Sequence, residues 1–574
     1  MTQRLPIAKN LYWVKKMANN LGQEILQRQS KMQDIRNDYE PLWSDVTKLG
    51  NPRREDIRDE DKNNIKGQRK GKNVYDGTAL GALNTWADGM QGFLVSGTWF
   101  RAEMDNPQLN SVDSVRHWLQ EYDSKMYSAF DRSNFYAVLA EWFRDAGSIG
   151  TATLFTEEEV GTGRIIHTVI HPREIWIAEN QFGEVDTVHR KFTLTARKAF
   201  QKFGDSVSQT IKENLKTDPN KEHEFIHAVF PNEDRVIGKR TSKNKPFRSV
   251  YIESKGSDKG ESPNVASDKG FALNPYAVWR FRKASDEIYG YSPMADAIVE
   301  IFSLNQFGKT RIMAAQKSVS PSMNIPIEMR GRVRNGPDGM NYYDDPKRVI
   351  SPVPSGMNYP ISIEETKRIQ ESVNDKFRVE FFRAFIGRQG EATATEIMAI
   401  KGEQAGLMAA QVDRLYIEGL RKVFDIVSDI EDRRGAFSEE AGMPPAPDEI
   451  VETGGIINFV LTGPLRQSQR RITELAPINE TIQALAPLAE ILGQNVLDVI
   501  NADAIAEGVA EAGMLNQKYI NPVDKRKEMR DARAQAAAQQ QQQEMALEAA
   551  KVSGSLSKAP ESGSPLESIG EQLG

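Results

Sequence analysis

No cysteine occurs among the 574 residues. That absence excludes disulfide frameworks and cysteine-ligated zinc or iron–sulfur sites, and it suits a reducing compartment. No apolar run approaches the roughly 20 residues that span a bilayer. With 39% hydrophobic residues and a mean hydropathy of −0.54, the chain reads as soluble, with no membrane partner expected. Met1 to Asn20 contain no continuous apolar segment before a small-residue cleavage site, so no secretory signal is expected. A basic excess is also missing: 74 Lys and Arg stand against 80 Asp and Glu, a net charge of −6. Tight DNA binders usually carry a basic surface, because phosphate neutralisation supplies most non-specific affinity. This balance argues against a high-affinity DNA binder.

Motifs for chemistry are equally scarce. His223-Glu224-Phe225-Ile226-His227 matches the zinc-protease pattern HExxH, which needs both histidines on one helical face with the glutamate as general base. Here polar and apolar residues alternate up to Pro231, as in a strand. On a strand the two histidines stand roughly 13 Å apart, too far to share one ion. Gly308-Lys309-Thr310 resembles the end of a phosphate loop, but Ser303 occupies the position of its first glycine and the stretch lies inside a predicted helix. Gly67 to Lys72 is one residue short, and Asn73 replaces the Ser or Thr. No nucleotide site, metal, cofactor or catalytic residue is assigned, and the chain is not read as an enzyme.

Length allows about four domains. Residues 1–74 read as a helical arm, with Leu21, Ile25, Met32, Ile35, Tyr39, Leu42 and Trp43 near helical spacing, followed by a charged loop. That loop carries Lys66, Arg69, Lys70 and Lys72; a solvated loop is the first reading and nucleic-acid or partner contact the second. Residues 75–285 read as an α+β unit. Helices are expected around Trp86–Leu94 and Trp118–Phe130, and strands at Thr153–Phe155, Arg164–Ile170, Ile175–Ala178, Phe225–Phe230, Val250–Ile252 and Tyr276–Phe281. The Ser/Lys/Gly/Asp stretch 254–270 reads as a flexible loop.

Residues 286–433 give the most informative pattern. A helix over 286–320 follows Tyr289-Gly290-Tyr291-Ser292-Pro293, with Met294, Ile298, Ile301, Phe302, Ile312 and Ala315 near helical spacing. Seven prolines between Pro321 and Pro360 then exclude any continuous helix. A second helix over 361–386 places Ile369, Val373, Phe377, Phe381 and Phe385 at every fourth residue, with Glu364 and Arg368 paired off that stripe. A Gly-rich loop, 387–393, precedes a long helix over 394–433. Residues 434–521 read as mostly helical, with breaks at Pro444, Pro445, Pro447, Gly454 and Gly463. Residues 522–552, including Gln539–Gln543, favour a helix that would be marginal alone; the alternative is a solvated polar tract. Residues 553–574 read as a disordered tail.

Helix, clip-like excursion, helix, loop and long helix together resemble the portal, or head-to-tail connector, protein of tailed bacteriophages. Shorter pieces resemble the connectors of short-tailed phages in particular: Tyr75-Asp76-Gly77-Thr78, Gly97-Thr98-Trp99-Phe100, Asp145 to Gly150, His171-Pro172-Arg173-Glu174, Phe182 to Asp186, Arg190 to Thr195, and Arg280 leading to Tyr289–Pro293. The resemblance covers about residues 75–430. It implies an α+β, mostly helical fold: a mixed wing over 75–285, stem helices over 286–320 and 361–386, and a clip over 321–360. It further implies a tunnel loop over 387–393, a long wing helix over 394–433, a crown over 434–521 and a C-terminal barrel helix over 522–552. It also implies a ring, commonly a dodecamer, at one capsid vertex of the virion, assembled in the host cytoplasm. Such a ring encloses a channel for double-stranded DNA during packaging and ejection. The net charge remains compatible with DNA that slides rather than binds. The implied partners are further copies of the chain, a packaging ATPase (terminase), a tail or adaptor protein, and capsid and scaffolding proteins. Gly387, Arg388, Gln389, Gly390 and Glu391 become candidates to face DNA. Arg330, Arg332, Arg334, Lys347 and Arg348 become candidates for partner docking. The competing readings are a zinc metalloprotease using His223, Glu224 and His227, and a structural virion protein without a channel.

Overall fold

The computed structural model describes residues 7–58, 70–254, 263–334, 340–387, 408–463, 476–492, 500–512 and 520–556, apart from positions 96, 160, 240, 343, 344, 348, 354–358 and 522. The fold is mixed α/β. The expected N-terminal helix is present in two pieces, α1 (Ile7–Arg36) and α2 (Glu40–Gly50). Pro41 explains the break. Its ring is tolerated in the first turn of α2 but would clash with the carbonyl of residue 37 in a continuous helix.

The elements that follow are α3 (Thr78–Leu94), β1 (Phe100–Met104), α4 (Asp113–Arg132), α5 (Phe135–Ile149), β2 (Thr151–Glu158), β3 (Ile165–Ile170), β4 (Ile175–Glu179) and β5 (Val185–Thr195). Next come α6 (Ala196–Phe203), α7 (Gln209–Thr217), β6 (Glu222–Pro231), β7 (Phe247–Glu253), β8 (Val265–Phe271) and β9 (Tyr276–Arg280). Strands β4 to β8 form an antiparallel meander in chain order, and β3, β2 and β9 form a second antiparallel sheet with β2 central. Strand β8 corrects the expectation of a loop over 254–270. Its polar composition suits an edge strand, because Asp268 pairs with Arg248 of β7 at 3.2 Å while the ladder holds the backbone.

Helix α1 lies on the meander, with Leu21 and Ile25 buried against Ile226, Ala228, Val250 and Ile252. Buried polar bonds fix its position. Arg36 Nη1 donates to the Ile175 carbonyl at 2.6 Å, and Gln29 Oε1 meets His189 Nδ1 at 2.9 Å. The main core gathers Trp86, Trp99, Trp142 and Trp279, all fully buried. Trp99 stacks on Phe135 and Phe424, and Trp142 meets Trp279 edge-on at 5.6 Å.

After β9 come α8 (Pro293–Asp296), α9 (Ile298–Val319), a two-residue strand pair β10 (Met323–Asn324) and β11 (Ser351–Pro352), α10 (Tyr359–Lys376) and α11 (Val379–Gly387). The second helix is therefore broken, against expectation. Arg378 adopts a left-handed backbone with φ of 51°. The break lets Phe377, Val379, Phe381 and Phe382 all reach the main core, more apolar surface than one straight stripe presents. Arg368 pairs with Glu365 at 2.6 Å, one turn away, rather than with Glu364.

The long helix is described as α12 (Ala409–Arg414), a π-helical segment Leu415–Leu420, and α13 (Arg421–Arg433). The next segment is not all helical. After α14 (Asp448–Thr453), β12 (Ile457–Leu461) pairs antiparallel with β1, Phe100 opposite Leu461. Helices α15 (Ala476–Leu492), α16 (Ala502–Ala512) and α17 (Val523–Leu556) complete the described chain. Helix α17 runs past the boundary drawn at 552, so residues 553–556 are helical rather than part of a disordered tail; 557–574 lie outside the described residues.

Candidate functional site

The helical hairpin of α9 and α10 leaves the main core at one end only. Ser292 caps α8, accepting from the Ala295 N–H at 3.0 Å, and Pro293 takes the tolerated first position. Ile301 and Leu304 are the buried residues of α9. Beyond them Ile312, Met313 and Val319 are exposed, as are Val299 and Phe302 nearer the core. Lys376 of α10 ties the two helices, pairing with Glu300 and donating to the Asp296 carbonyl at 2.6 Å. Burial opposes the charge of Glu300, but the Lys376 ammonium outweighs it and holds the carboxyl below its usual range. The Tyr75–Thr78 motif sits between these helices. Asn305 accepts from the Tyr75 N–H at 2.7 Å, and Gln370 donates to Asp76 at 3.2 Å.

The excursion at the hairpin tip is closed by β10 and β11, and by Asn341, whose amide exchanges two hydrogen bonds with the Arg334 backbone at 2.7 and 2.9 Å. Arg330, Arg332, Arg334 and Lys347 are exposed on it; Arg348 lies outside the described residues. Gly387 is the last residue of α11, while Arg388, Gln389, Gly390 and Glu391 lie outside the described residues, as does the expected helix start at Ala394. Of the basic cluster, Lys66 and Arg69 lie outside the described residues; Lys70 pairs with Asp56 at 3.4 Å and Lys72 is exposed. Asp56 also binds Arg173 and meets His171 Nε2 at 3.1 Å. Burial would raise its pKa, but these cationic and hydrogen-bonding neighbours hold it far below the usual carboxylate range.

Several separated motifs converge at the root of the hairpin. Gly150 has φ of 93°, and an added Cβ would lie 2.5 Å from the Gly290 carbonyl. The Phe281 N–H bonds the Gly150 carbonyl at 2.8 Å, and Ser292 Oγ donates to the Ser148 carbonyl at 2.8 Å. Next to this contact Arg280 is buried and fully engaged. It pairs with Glu418 at 2.7 Å and with Glu179, and donates to the carbonyls of Gly183 and Ile288 at 3.0 and 3.2 Å. Glu418 also takes Arg414 at 2.7 Å, and Glu179 takes Lys283 at 2.8 Å. The Phe182–Asp186 turn, β9 and the long helix thus share one charge cluster. Sequence reading missed Glu179 and Glu418. The only signal for Glu418 is a carboxylate between Leu415 and Leu420, two residues of the helix's buried side.

The HExxH residues fall on β6, as the alternation predicts. His223 meets Asn214 at 3.1 Å, Glu224 pairs with Lys191 at 2.8 Å, and His227 bonds Tyr276 and Ser249 at 2.7 and 2.9 Å. All three are occupied by other partners. Among the described residues no group of three or more His, Asp or Glu could hold a metal ion, and no helix is long and apolar enough to cross a membrane. The metalloprotease reading has no support in this geometry.

The described residues thus combine a helical hairpin with an α+β body. Over residues 22–520 the chain matches the family described as bacteriophage head to tail connecting protein, and it belongs to that family. A relative named portal protein, from Salmonella phage epsilon15, is 25% identical over 558 residues, covering 94% of this chain and 96% of that protein. A second, named probable portal protein, from Bordetella phage BPP-1, is 25% identical over 534 residues, covering 90% and 92%.

Proposed function

We propose that this chain is a portal subunit, with a structural rather than a catalytic role. Copies assemble into a ring, of twelve in the commonest arrangement, at one capsid vertex. The ring encloses the passage for double-stranded DNA during packaging and ejection. The observation that carries the reading is α9, whose far half exposes Ile312, Met313 and Val319 in the single subunit. A lone chain has no use for that apolar side; a neighbouring copy gives it one.

In this reading the hairpin is the stem and the excursion over 321–360 is the clip. Arg330, Arg332, Arg334, Lys347 and Arg348 meet the terminase ATPase and later the tail or adaptor protein. Capsid and scaffolding proteins meet the outside of the ring. The chain acts in the virion after assembly in the host cytoplasm. Residues 387–391 face the DNA, and Arg388 becomes a ring of positive charge that Glu391 offsets, which suits sliding rather than gripping.

Negative-stain images and light scattering at near-physiological salt test the assembly. Closed rings with a central hole are expected; a stable monomer at micromolar concentration sinks the proposal. Within assembled rings, Arg388→Ala should change packaging or DNA retention most at low salt, where charge acts furthest. Replacing Arg330, Arg332 and Arg334 with Ala should weaken partner docking without loss of the ring. Unchanged retention, or unchanged docking, removes the role assigned to the corresponding residues.

A further inference from the structure

The turn between β6 and β7, residues 232–246, closes on its own backbone. Asn232 donates to the carbonyls of Lys243 and Lys245, each at 3.0 Å. Asn244 accepts from the Val236 N–H at 2.7 Å and donates to the Lys239 carbonyl at 2.7 Å. With its polar backbone turned inward, the turn presents Val236 and Ile237 outward, 58% and 91% exposed. The same residues carry Arg235, Lys239, Arg240, Lys243 and Lys245 against Glu233 and Asp234, so the turn is basic in a chain that is acidic overall. Lys243 is engaged by Asp268 at 2.9 Å; Arg235 and Lys239 are exposed.

A second surface has the opposite charge. Residues 435–463 contain Glu439, Glu440, Asp448, Glu449 and Glu452 and no lysine or arginine. Helix α14 turns Ile450 inward and leaves Val451 67% exposed, and Ile456 just before β12 is 64% exposed. Both apolar pairs are open in the single subunit, so neither covers the other. The turn belongs to the five-stranded sheet, whereas α14 and β12 belong to the main core beside β1. A ring that closes head to tail needs two different, complementary surfaces on each subunit. An interface needs an apolar centre with a polar rim.

We propose that the β6–β7 knob of one subunit seats on the α14–β12 shelf of the next copy. Val236 and Ile237 meet Val451 and Ile456, with Arg235 and Lys239 beside Asp448 and Glu452. The inference rests on the ring reading above and names one contact within that ring.

Because the chain has no cysteine, an introduced pair gives a clean test. The variant carrying Ile237→Cys and Val451→Cys, assembled and treated with a short bismaleimide, should give a ladder of covalent multimers. Mixing the two single variants should give dimers and nothing larger, and either single variant alone should give none. Rings in negative stain without any cross-link overturn this contact while leaving the ring; cross-link and ring both absent overturn the ring reading as well. Charge reversal supplies a second measurement. Glu452→Arg should raise the protein concentration for half-assembly about tenfold, the effect of losing about 1.4 kcal/mol, and adding Arg235→Glu should recover much of it, with unchanged far-UV circular dichroism. Assembly of Glu452→Arg at the wild-type concentration, or no recovery in the pair, rejects the shelf as the docking face.

Discussion

Arg280 at the end of β9 and Glu418 in the π-helical segment form a buried bidentate pair, Nη2 to Oε1 at 2.7 Å and Nε to Oε2 at 3.1 Å. The Arg280 backbone N–H donates to the same carboxylate at 3.0 Å. Arg280 is 1% exposed, so water cannot replace what Glu418 provides. Without Glu418, Arg280 keeps Glu179 as its one carboxylate partner but loses the acceptor of its buried Nε–H and of its backbone N–H, so the loss lies below the roughly 3–5 kcal/mol of a buried charge left with no partner. Glu418→Ala should therefore lower the unfolding free energy by about 2–3 kcal/mol, read as a lower urea midpoint. Arg414→Ala removes a more exposed partner of the same carboxylate and should cost less than about 1 kcal/mol. Equal midpoints for the two variants would show that the cluster does not hold the long helix.

Gly150 is irreplaceable for two reasons at once. Its φ of 93° is a conformation that side chains resist, and its Cβ position is filled by backbone of residues 290 and 291. The obstacle is main chain, so no side-chain rotation relieves it. Gly150→Ala should cost at least about 2 kcal/mol from backbone strain and overpacking combined. Gly161 also has a positive φ, 102°, but nothing lies within 4 Å of its Cβ position. Gly161→Ala should cost only about 1 kcal/mol. The comparison, read as melting temperatures, isolates the close approach; a Gly150 variant no less stable than its Gly161 counterpart would refute it.

Local periodicity made most helices and the central strands legible, because one buried face repeats within a few residues. Strands β1 and β12 were not, since each finds its partner only through the opposite end of the chain. Strand β8 was hidden by a composition that reads as a turn until Arg248 and the β7 ladder are in place. Tyr289–Pro293 and Asp145–Gly150 were visible as motifs, but their mutual contact depends on β9 bringing Phe281 beside Gly150. Glu179 and Glu418 carry no local pattern; their role exists only once Arg280 is buried between them.

Three buried imidazoles predict acid sensitivity. Burial pushes His167 and His189 down to about 3, with Arg28 adding to the effect at His189. His227 is also pushed well below the usual range, by burial first and then by Lys202, Arg190 and His189. Unfolded, each titrates near about 6.5. The unfolded chain therefore binds more protons as pH falls below that value. Their contribution to stability is complete above about pH 6.5 and declines as pH falls toward the folded values, at up to about 1.4 kcal/mol per pH unit for each ring. Urea midpoints should drop between pH 6.5 and 5, before most carboxylates titrate. A flat profile across that window would count against neutral, buried histidines.

Asp123 predicts the opposite slope at one position. It accepts from the Ala102 N–H at 2.8 Å, but burial raises its carboxyl to about 8, outweighing that bond and Arg101. A raised carboxyl stabilises fully below the unfolded value near about 3.9, and loses that contribution as pH rises through about 8. Asp123→Asn keeps an acceptor oxygen and removes the charge. The variant should gain on the wild type by a larger margin at pH 9 than at pH 5. A constant difference between the two pH values would show that Asp123 ionises without penalty.

The exposed side of α9 separates folding from assembly. Phe302 and Ile312 are each 47% exposed in the single subunit and lie outside its buried contacts. Surface substitutions away from special features usually change stability by less than about 0.5 kcal/mol. Phe302→Asp and Ile312→Asp should therefore leave the urea midpoint of the isolated subunit nearly unchanged. In the proposed ring those side chains would be covered by a neighbouring copy, and an aspartate buried there without a partner is strongly unfavourable. Sedimentation should then show folded subunits in place of closed oligomers. Variants that still form rings of normal size would mean that neighbouring copies meet elsewhere and that this face of the hairpin stays in water.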